Sequence, residues 1–594
     1  MPIEVGEILG AGGPLSELLT GYEPRPEQQR MAEAVQRAFA DQGRLLVEAG
    51  TGVGKTFAYL LPAIERILAH DERVIVSTHT ISLQEQILRQ DVPLLQSLLA
   101  EKRYPVPFSE ERPEKRYPVP FSEGRPFRAV LVKGRGNYLS IRRLQLATQR
   151  QARLFADPGS QRSLRAIQEW AYETTDGSLA TLPQLERRSI WDRVQSDSSN
   201  CMGRKCPTYD QCFFQSARRA MEQADLLICN HALFFAELAL RTQGASFLPP
   251  FDHVVFDEAH QVEDVASDHF GRALSEGRVW HLLSALHHER SGHGFLADLQ
   301  LSGGETDPVA GLIRQVLETG ESARGFFEEL NRYRTFEAPR NGRVSEADII
   351  ENGLSPAMRD LAASLKEARK RARRDEDAYE LNAYAERASS IAKDAEVLLG
   401  QQIDDAVYWL EATGSGKRQR LGLACSPVDV GPILRERLFG MEVGVILTSA
   451  TLTTGSAKED EFETSKSAFA HTSDRLGCDE PDTLMLGSPF NHAEQVELFI
   501  DEGMPSPTAR GYVEELAPRI LEHVEATDGG AFILFTSYET MRRTAELLRA
   551  PLEAGQHPMY VQGEDGSRTA ILDLFRQDRR AVLLGAASFW QGRS

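Results

Sequence analysis

Lys55 and Thr56 close a loop with glycines at 50, 52 and 54, and these residue types at this spacing handle a polyphosphate and its metal ion. Glycines let several backbone N–H groups turn inward around the phosphates. The lysine ammonium reaches the β and γ phosphates, and the threonine hydroxyl holds Mg²⁺. The candidate nucleotide-binding set is therefore Ala49, Gly50, Thr51, Gly52, Val53, Gly54, Lys55 and Thr56, with Ala49 standing where the strict pattern has its first glycine. A second set lies far downstream in DHVVFDEAH, residues 252–260. There Asp257 can orient Mg²⁺ through its water shell, Glu258 can polarise an attacking water, and His260 completes the tetrapeptide. Ahead of the loop, Tyr22 could stack on a purine while Arg25 and Gln28 read its edge or hold a phosphate. The plain alternative there is a surface lead-in around Pro24 and Pro26.

Such chemistry needs strands that stop, and helices that start, at one place. Residues 45–47 read as a strand entering the glycine loop, and FAYLLPAIERIL as the helix leaving it. Residues 74–76, 254–256 and 443–447 read as further strands, ending respectively in Ser77 to Thr80, in the two acids, and in Thr448 to Thr453. Thr78 and Thr80 suit a ligand crevice or a phosphate-backbone contact, with N-capping of the next helix as the plain reading. A second α/β pattern opens at residues 531–535, followed by Thr536, Ser537 and Tyr538, and its last visible strand begins at 581. The fold class expected is α/β.

Across 594 residues, 41% hydrophobic and 26% charged, the composition is that of an ordinary soluble chain with several domains. No basic, apolar leader follows Met1 and no run approaches a membrane span, so a cytoplasmic location is expected. A net charge of −20 argues against binding nucleic acid over the whole surface and assigns any such binding to local basic stretches. One such stretch runs from 133 to 156, where Lys133, Arg135, Arg142, Arg143, Arg150 and Arg153 accompany Tyr138 without an acidic residue. It suits a phosphate backbone and a stacked base, against the bland reading of a solvated helix face. Residues 101–126 repeat a 13-residue unit, EKRYPVPFSEERP then EKRYPVPFSEGRP, and read as an exposed loop.

Cys201, Cys206 and Cys212 are spaced C-x4-C-x5-C, looser than structural zinc pairs and better suited to an iron–sulfur cluster, which wants four thiolates. Cys229, inside DLLICN, reads as a core cysteine. Residues 266–424 turn helical, with apolar seams through Leu361, Leu365, Ala368 and Ala372 and through Leu381, Tyr384, Ala388, Ile391, Ala395 and Leu398. GSGK at 414–417 lacks the following Ser or Thr, sits between hairpin flanks and takes no nucleotide role.

In this order EAGTGVGKT, STHTISLQEQ, KGRGNYL, the cysteine triplet, CNHALF, DEAH, TSATLT, GSPFN, LFTSYETM and GAASFW resemble the motifs of the XPD/DinG group of superfamily 2 DNA helicases over essentially the whole chain. The resemblance implies two RecA-like motor domains. The first would comprise 1–132, 222–265 and 425–455, interrupted by an iron–sulfur insertion at 133–221 and a helical arch at 266–424; the second would be 456–594 and incomplete. It further implies ATP-driven 5′-to-3′ movement on single-stranded DNA and action at DNA junctions in repair or replication, by a monomer using Mg²⁺ and a 4Fe-4S cluster. Lys55, Thr56, Asp257, Glu258 and His260 would be the hydrolysis set, and Tyr22, Arg25 and Gln28 the adenine-side motif. Thr78, Thr80, Ser537 and Tyr538 would contact the strand, and Ser449 with Thr451 would couple it to ATP.

Two departures stand out. Ser140 occupies the position of the group's first cluster cysteine, so a labile or incomplete cluster is expected. The group's later arginine helix has no counterpart before Ser594, so a truncated motor is expected, alternatively one that binds ATP and single-stranded DNA without separating strands.

Overall fold

The computed structural model describes residues 5–19, 22–101, 127–155, 157–242, 244–302, 308–414, 419–454, 462–566, 568–586 and 589. The tandem repeat from 102 onward, and residues 415–417 of GSGK, lie outside the described residues. Two units are resolved, Met1–Gly487 and Ser488–Ser594.

In the first unit the chain forms β1 (Arg44–Ala49), β2 (Val74–Thr78), β3 (Ala129–Leu131), β4 (Leu226–Asn230) and β5 (His253–Asp257). It then leaves for β6 (Arg272–Ser275), β7 (Arg343–Val344), β8 (Ala406–Thr413) and β9 (Arg420–Pro427), and returns as β10 (Gly444–Ser449) and β11 (Asp482–Leu486). Seven strands make one parallel sheet in the order β11-β1-β10-β5-β2-β4-β3. Short Val, Ile and Leu runs suit this position because both faces are covered, and β2, β5 and β10 are buried at every residue. The domain boundary expected at 455/456 is corrected: β11 pairs with β1, Val47 opposite Leu484, so the first unit continues to Gly487.

Two excursions interrupt this sheet. Between β3 and β4, the helix Pro158–Glu173 and several shorter ones close over a small core that includes Leu139, Leu164, Ile167, Trp170, Trp191 and Val194. Between β5 and β10, the helices Pro308–Phe336, Leu354–Arg371 and Asp375–Leu399 pack along the expected seams. This second excursion is not purely helical as expected. It also carries an antiparallel sheet in the order β6-β9-β8-β7, whose β8–β9 hairpin flanks Gly414.

The basic stripe is corrected as well. Arg142, Arg143 and Arg150 are buried, and their charges are spent between the two excursions. Glu380 takes Arg142 at 3.2 Å and Arg143 at 3.3 Å, while Arg150 meets Asp377 at 2.8 Å and Asp298 at 3.0 Å. An acid-free run in sequence became an internal joint because its partners lie more than a hundred residues away.

The second unit holds β12 (Ala531–Phe535), β13 (Met559–Val561) and β14 (Val582–Ala586), parallel in the order β12-β14-β13. The helices Tyr512–Thr527 and Tyr538–Ala554 supply Ala517, Val524, Met541, Leu548 and Leu552 to its core. No helix among the described residues is long and apolar enough to cross a membrane.

Candidate active site

β1 ends at Ala49 and the chain turns through Gly52 at φ +87° and Gly54 at φ +82°, values a side chain would resist. At Gly54 a Cβ would also strike Gln28 Nε2 at 2.1 Å. The helix Lys55–His70 starts here with its N-terminus facing the loop. Lys55 Nζ donates to Ala49 O at 3.1 Å, across the loop it terminates. Tyr22, Arg25 and Gln28 gather at the same loop. Gln28 Nε2 donates to Gly54 O at 2.9 Å, Tyr22 Oη to Gln28 Oε1 at 2.8 Å, and Arg25 Nη1 to Gly52 O.

Asp257 ends β5, two strands away from β1 in the same sheet and on the same carboxyl edge. Its Oδ1 accepts from Glu258 N at 3.1 Å and its Oδ2 from the Tyr59 hydroxyl at 3.1 Å. Burial, then the adjacent Glu258 charge, pushes the Asp257 carboxyl up to about 7, against the pull of Lys55. A divalent cation in front of it would reverse that shift. Glu258 adopts a left-handed φ of +59°, which turns the chain sharply after the strand. His260 Nδ1 lies 2.7 Å from Ser449 Oγ and 3.4 Å from Glu258 Oε2. This links the acidic turn directly to the end of β10, its neighbour in the sheet.

Three positions escaped sequence reasoning. Tyr59 lies one helical turn beyond Thr56, and that spacing is the only signal it offered. Glu48, the penultimate residue of β1, accepts from Leu452 N at 2.5 Å, Thr453 N at 2.7 Å and Thr453 Oγ1 at 3.0 Å. His231 starts the helix after β4, is 1% exposed, and pairs through Nδ1 with Ser77 Oγ at 2.8 Å. Burial, followed by His79, pushes its ring down to about 3, so it stays neutral beneath the Asp257–Glu258 turn.

Among the hydroxyls proposed to face a strand, Thr78 is fully buried, whereas Thr80 caps the next helix by accepting from Leu83 N at 3.4 Å. In the second unit Ser537 likewise caps a helix, accepting from Thr540 N at 3.4 Å, while Tyr538 is exposed and takes a hydrogen bond from Gln562 Nε2 at 2.9 Å.

Cys201, Cys206, Cys212 and Ser140 line one cavity in the first excursion. Cys201 Sγ accepts from Gly203 N at 3.4 Å, and Cys206 Sγ lies 3.4 Å from Thr208 Oγ1. Three cysteines lining one cavity match, in residue type, three of the four thiolates an iron–sulfur cluster takes. Ser140 Oγ is already engaged, capping the Ile141–Gln149 helix by accepting from Arg143 N at 3.4 Å. Among the described residues no group of three or more His, Cys, Asp or Glu is drawn together closely enough to hold a single metal ion. Cys229 is in the core as expected, its thiol pushed up to about 12 by burial.

A glycine loop opening a helix, facing an acid-ended strand across a parallel sheet, defines a P-loop nucleoside triphosphatase. Residues 25–106 match the DEAD/DEAH box helicase model and 520–593 the Helicase C-terminal domain model. The chain is 30% identical to the ATP-dependent DNA helicase YoaA of Escherichia coli, over 98% of this chain and 81% of that protein. It is 29% identical to YoaA of Haemophilus influenzae over 99% of this chain and 82% of that one. With the ATP-dependent helicase DinG of Mycobacterium tuberculosis it shares 29% identity over 96% and 79%. The chain belongs to the YoaA/DinG family of ATP-dependent DNA helicases.

Proposed function

We propose that this protein couples ATP hydrolysis to 5′-to-3′ movement along single-stranded DNA and opens DNA junctions during repair or replication in the cytoplasm. The observation that carries this reading is the 2.7 Å contact of His260 with Ser449, which joins the hydrolytic turn to the loop expected to report on the DNA strand. Tyr22, Arg25 and Gln28 hold the adenine side, the 49–54 loop wraps the phosphates, and Lys55 draws charge from the β and γ positions. Thr56 and Asp257 would hold Mg²⁺, which would supply charge neutralisation on the transferring phosphoryl group. Glu258 orients water for in-line attack; the new P–O bond forms as the bond to ADP breaks, and Glu258 accepts the water's proton. His260 holds Glu258 in register with Ser449.

Cys201, Cys206 and Cys212 would hold an iron–sulfur cluster with three thiolates, a group that supplies a cross-link bracing the excursion around it. Anaerobic iron and sulfide analysis tests this. Substoichiometric iron that rises in Ser140→Cys is expected, whereas a full four-iron complement in the unaltered chain would overturn the three-thiolate reading.

The motor reading is tested by ATP hydrolysis with and without single-stranded DNA, beside Lys55→Ala. DNA-stimulated turnover lost in the variant supports it. Retained ATP and DNA binding without stimulated turnover would favour a binding module that does not separate strands.

A further inference from the structure

Three of the arginines that sequence offered for DNA, Arg142, Arg143 and Arg150, are spent inside the molecule, which leaves the question of where an acidic chain meets a polyanion. The richest exposed cationic run is KEARKRARR, residues 366–374, at the end of the Leu354–Arg371 helix and in the turn after it. Six of its nine residues are basic and one, Glu367, is acidic, in a chain of net charge −20. Lys366, Arg369, Lys370, Arg373 and Arg374 are exposed. Lys366 and Arg373 make no ion pair among the described residues, and Lys370 meets only Glu367, with 72% of its own side chain in solvent.

The turn itself is firmly held. Ala372 bridges Leu301, Arg373 N donates to Gln300 O at 3.1 Å, and Arg371 Nε donates to Ser302 O at 3.0 Å. Arg374 approaches Asp298 at 3.8 Å, and the exposed Arg153, from the other excursion, pairs with the same carboxylate. Asp298 is therefore outnumbered, and cationic surface continues across the seam between the two excursions. Asp375 and Glu376 border it on the next helix, while the neighbouring Asp377 is buried against Arg150. Fixed backbone carrying uncommitted, solvated ammonium and guanidinium groups suits the regularly spaced phosphates of a nucleic acid strand.

We propose that the 366–374 turn, with Arg153, grips the phosphate backbone of DNA, contributing affinity without reading sequence. The proposal rests on the DNA-motor reading above and adds a contact surface on the excursion between β5 and β10. Its test uses the full chain and the variant Lys366→Gln/Lys370→Gln/Arg373→Gln, with anisotropy titrations on an oligo-dT strand and on a blunt duplex across a salt series. Lys366→Arg/Lys370→Arg/Arg373→Lys is the charge-preserving control. Loss of three phosphate contacts should weaken single-strand binding on the order of ten-fold at moderate salt and make the log–log salt slope shallower by about 2. The control should bind as the unaltered chain does, and hydrolysis without DNA should not change. A change confined to the duplex arm still supports a phosphate grip and assigns it to the duplex. A triple variant with unaltered affinity and slope in both arms overturns the patch alone. An unaltered chain without salt-dependent DNA binding overturns both the patch and the motor reading.

Discussion

Tyr59 donates its buried hydroxyl to Asp257 Oδ2 at 3.1 Å, from the helix whose first turn carries Lys55 and Thr56. With Glu258 N on Oδ1, both oxygens of this carboxylate have a fixed donor. Thr56, the other group assigned to Mg²⁺, lies one helical turn before Tyr59 on the same helix. In Tyr59→Phe we expect ATP turnover to fall roughly ten-fold or more, since a hydrogen bond to a charged group is worth about 1.5–3 kcal/mol. The Mg²⁺ concentration for half-maximal activity should rise more than KM for ATP does. Mn²⁺ binding followed by electron paramagnetic resonance separates this from a folding defect, and unchanged Mn²⁺ affinity would refute the positioning role.

Glu48 ties the strand that enters the glycine loop to the backbone of Leu452 and Thr453, just past Ser449. Glu48→Ala removes the acceptor for two amides and a hydroxyl. Hydrolysis without DNA should survive while its stimulation by DNA drops several-fold. Proportional loss of both would mean that Glu48 supports the fold and carries no coupling.

Glu380 is the hub between the two excursions, taking Arg142, Arg143 and Asn200 Nδ2, the last at 3.0 Å. Removing its charge in Glu380→Gln strands two buried guanidinium groups, a loss of about 3–5 kcal/mol for a broken buried pair. Hydrogen exchange should rise across 133–222 and along the Asp375–Leu399 helix, with the seven-stranded sheet unaffected. Unchanged exchange would show that the joint is held by other contacts.

Asp91 sits in the π-helical turn Ile87–Asp91, with Oδ2 unpartnered among the described residues, and burial pushes its carboxyl up to about 6 from the ordinary 3.8. Because the folded value is raised, its stabilising contribution is complete below the unfolded value and is lost as pH climbs through about 6. The difference is about 3 kcal/mol. In Asp91→Asn the decline between pH 4 and 6 should flatten, and urea unfolding at pH 8 should occur at higher denaturant than for the unaltered chain. A lower midpoint at pH 8 would contradict this account.

The glycine loop, the acid-ended strand and the helical seams were legible because each depends on residues close in sequence. Gly54, Asp257 and Leu381 announce themselves through local geometry or periodicity. Arg142 could not, since its burial is decided by Glu380. Thr78 misled for a related reason: a hydroxyl at a strand end looks available until packing from distant parts of the chain buries it, and Thr78 is fully buried. β11 carries no motif of its own, so its membership of the first sheet is visible only in the pairing with β1.

The excursion between β5 and β10 leaves and returns through strands that lie side by side, and β6 and β9 pair across its base, Arg272 opposite Cys425. Its base is one antiparallel strand pair, whatever stands above it. Evolution can therefore enlarge, trim or exchange that whole structure without renegotiating the hydrolytic core. That base joins the sheet at neighbouring strands whose carboxyl ends lead to His260 and to Ser449.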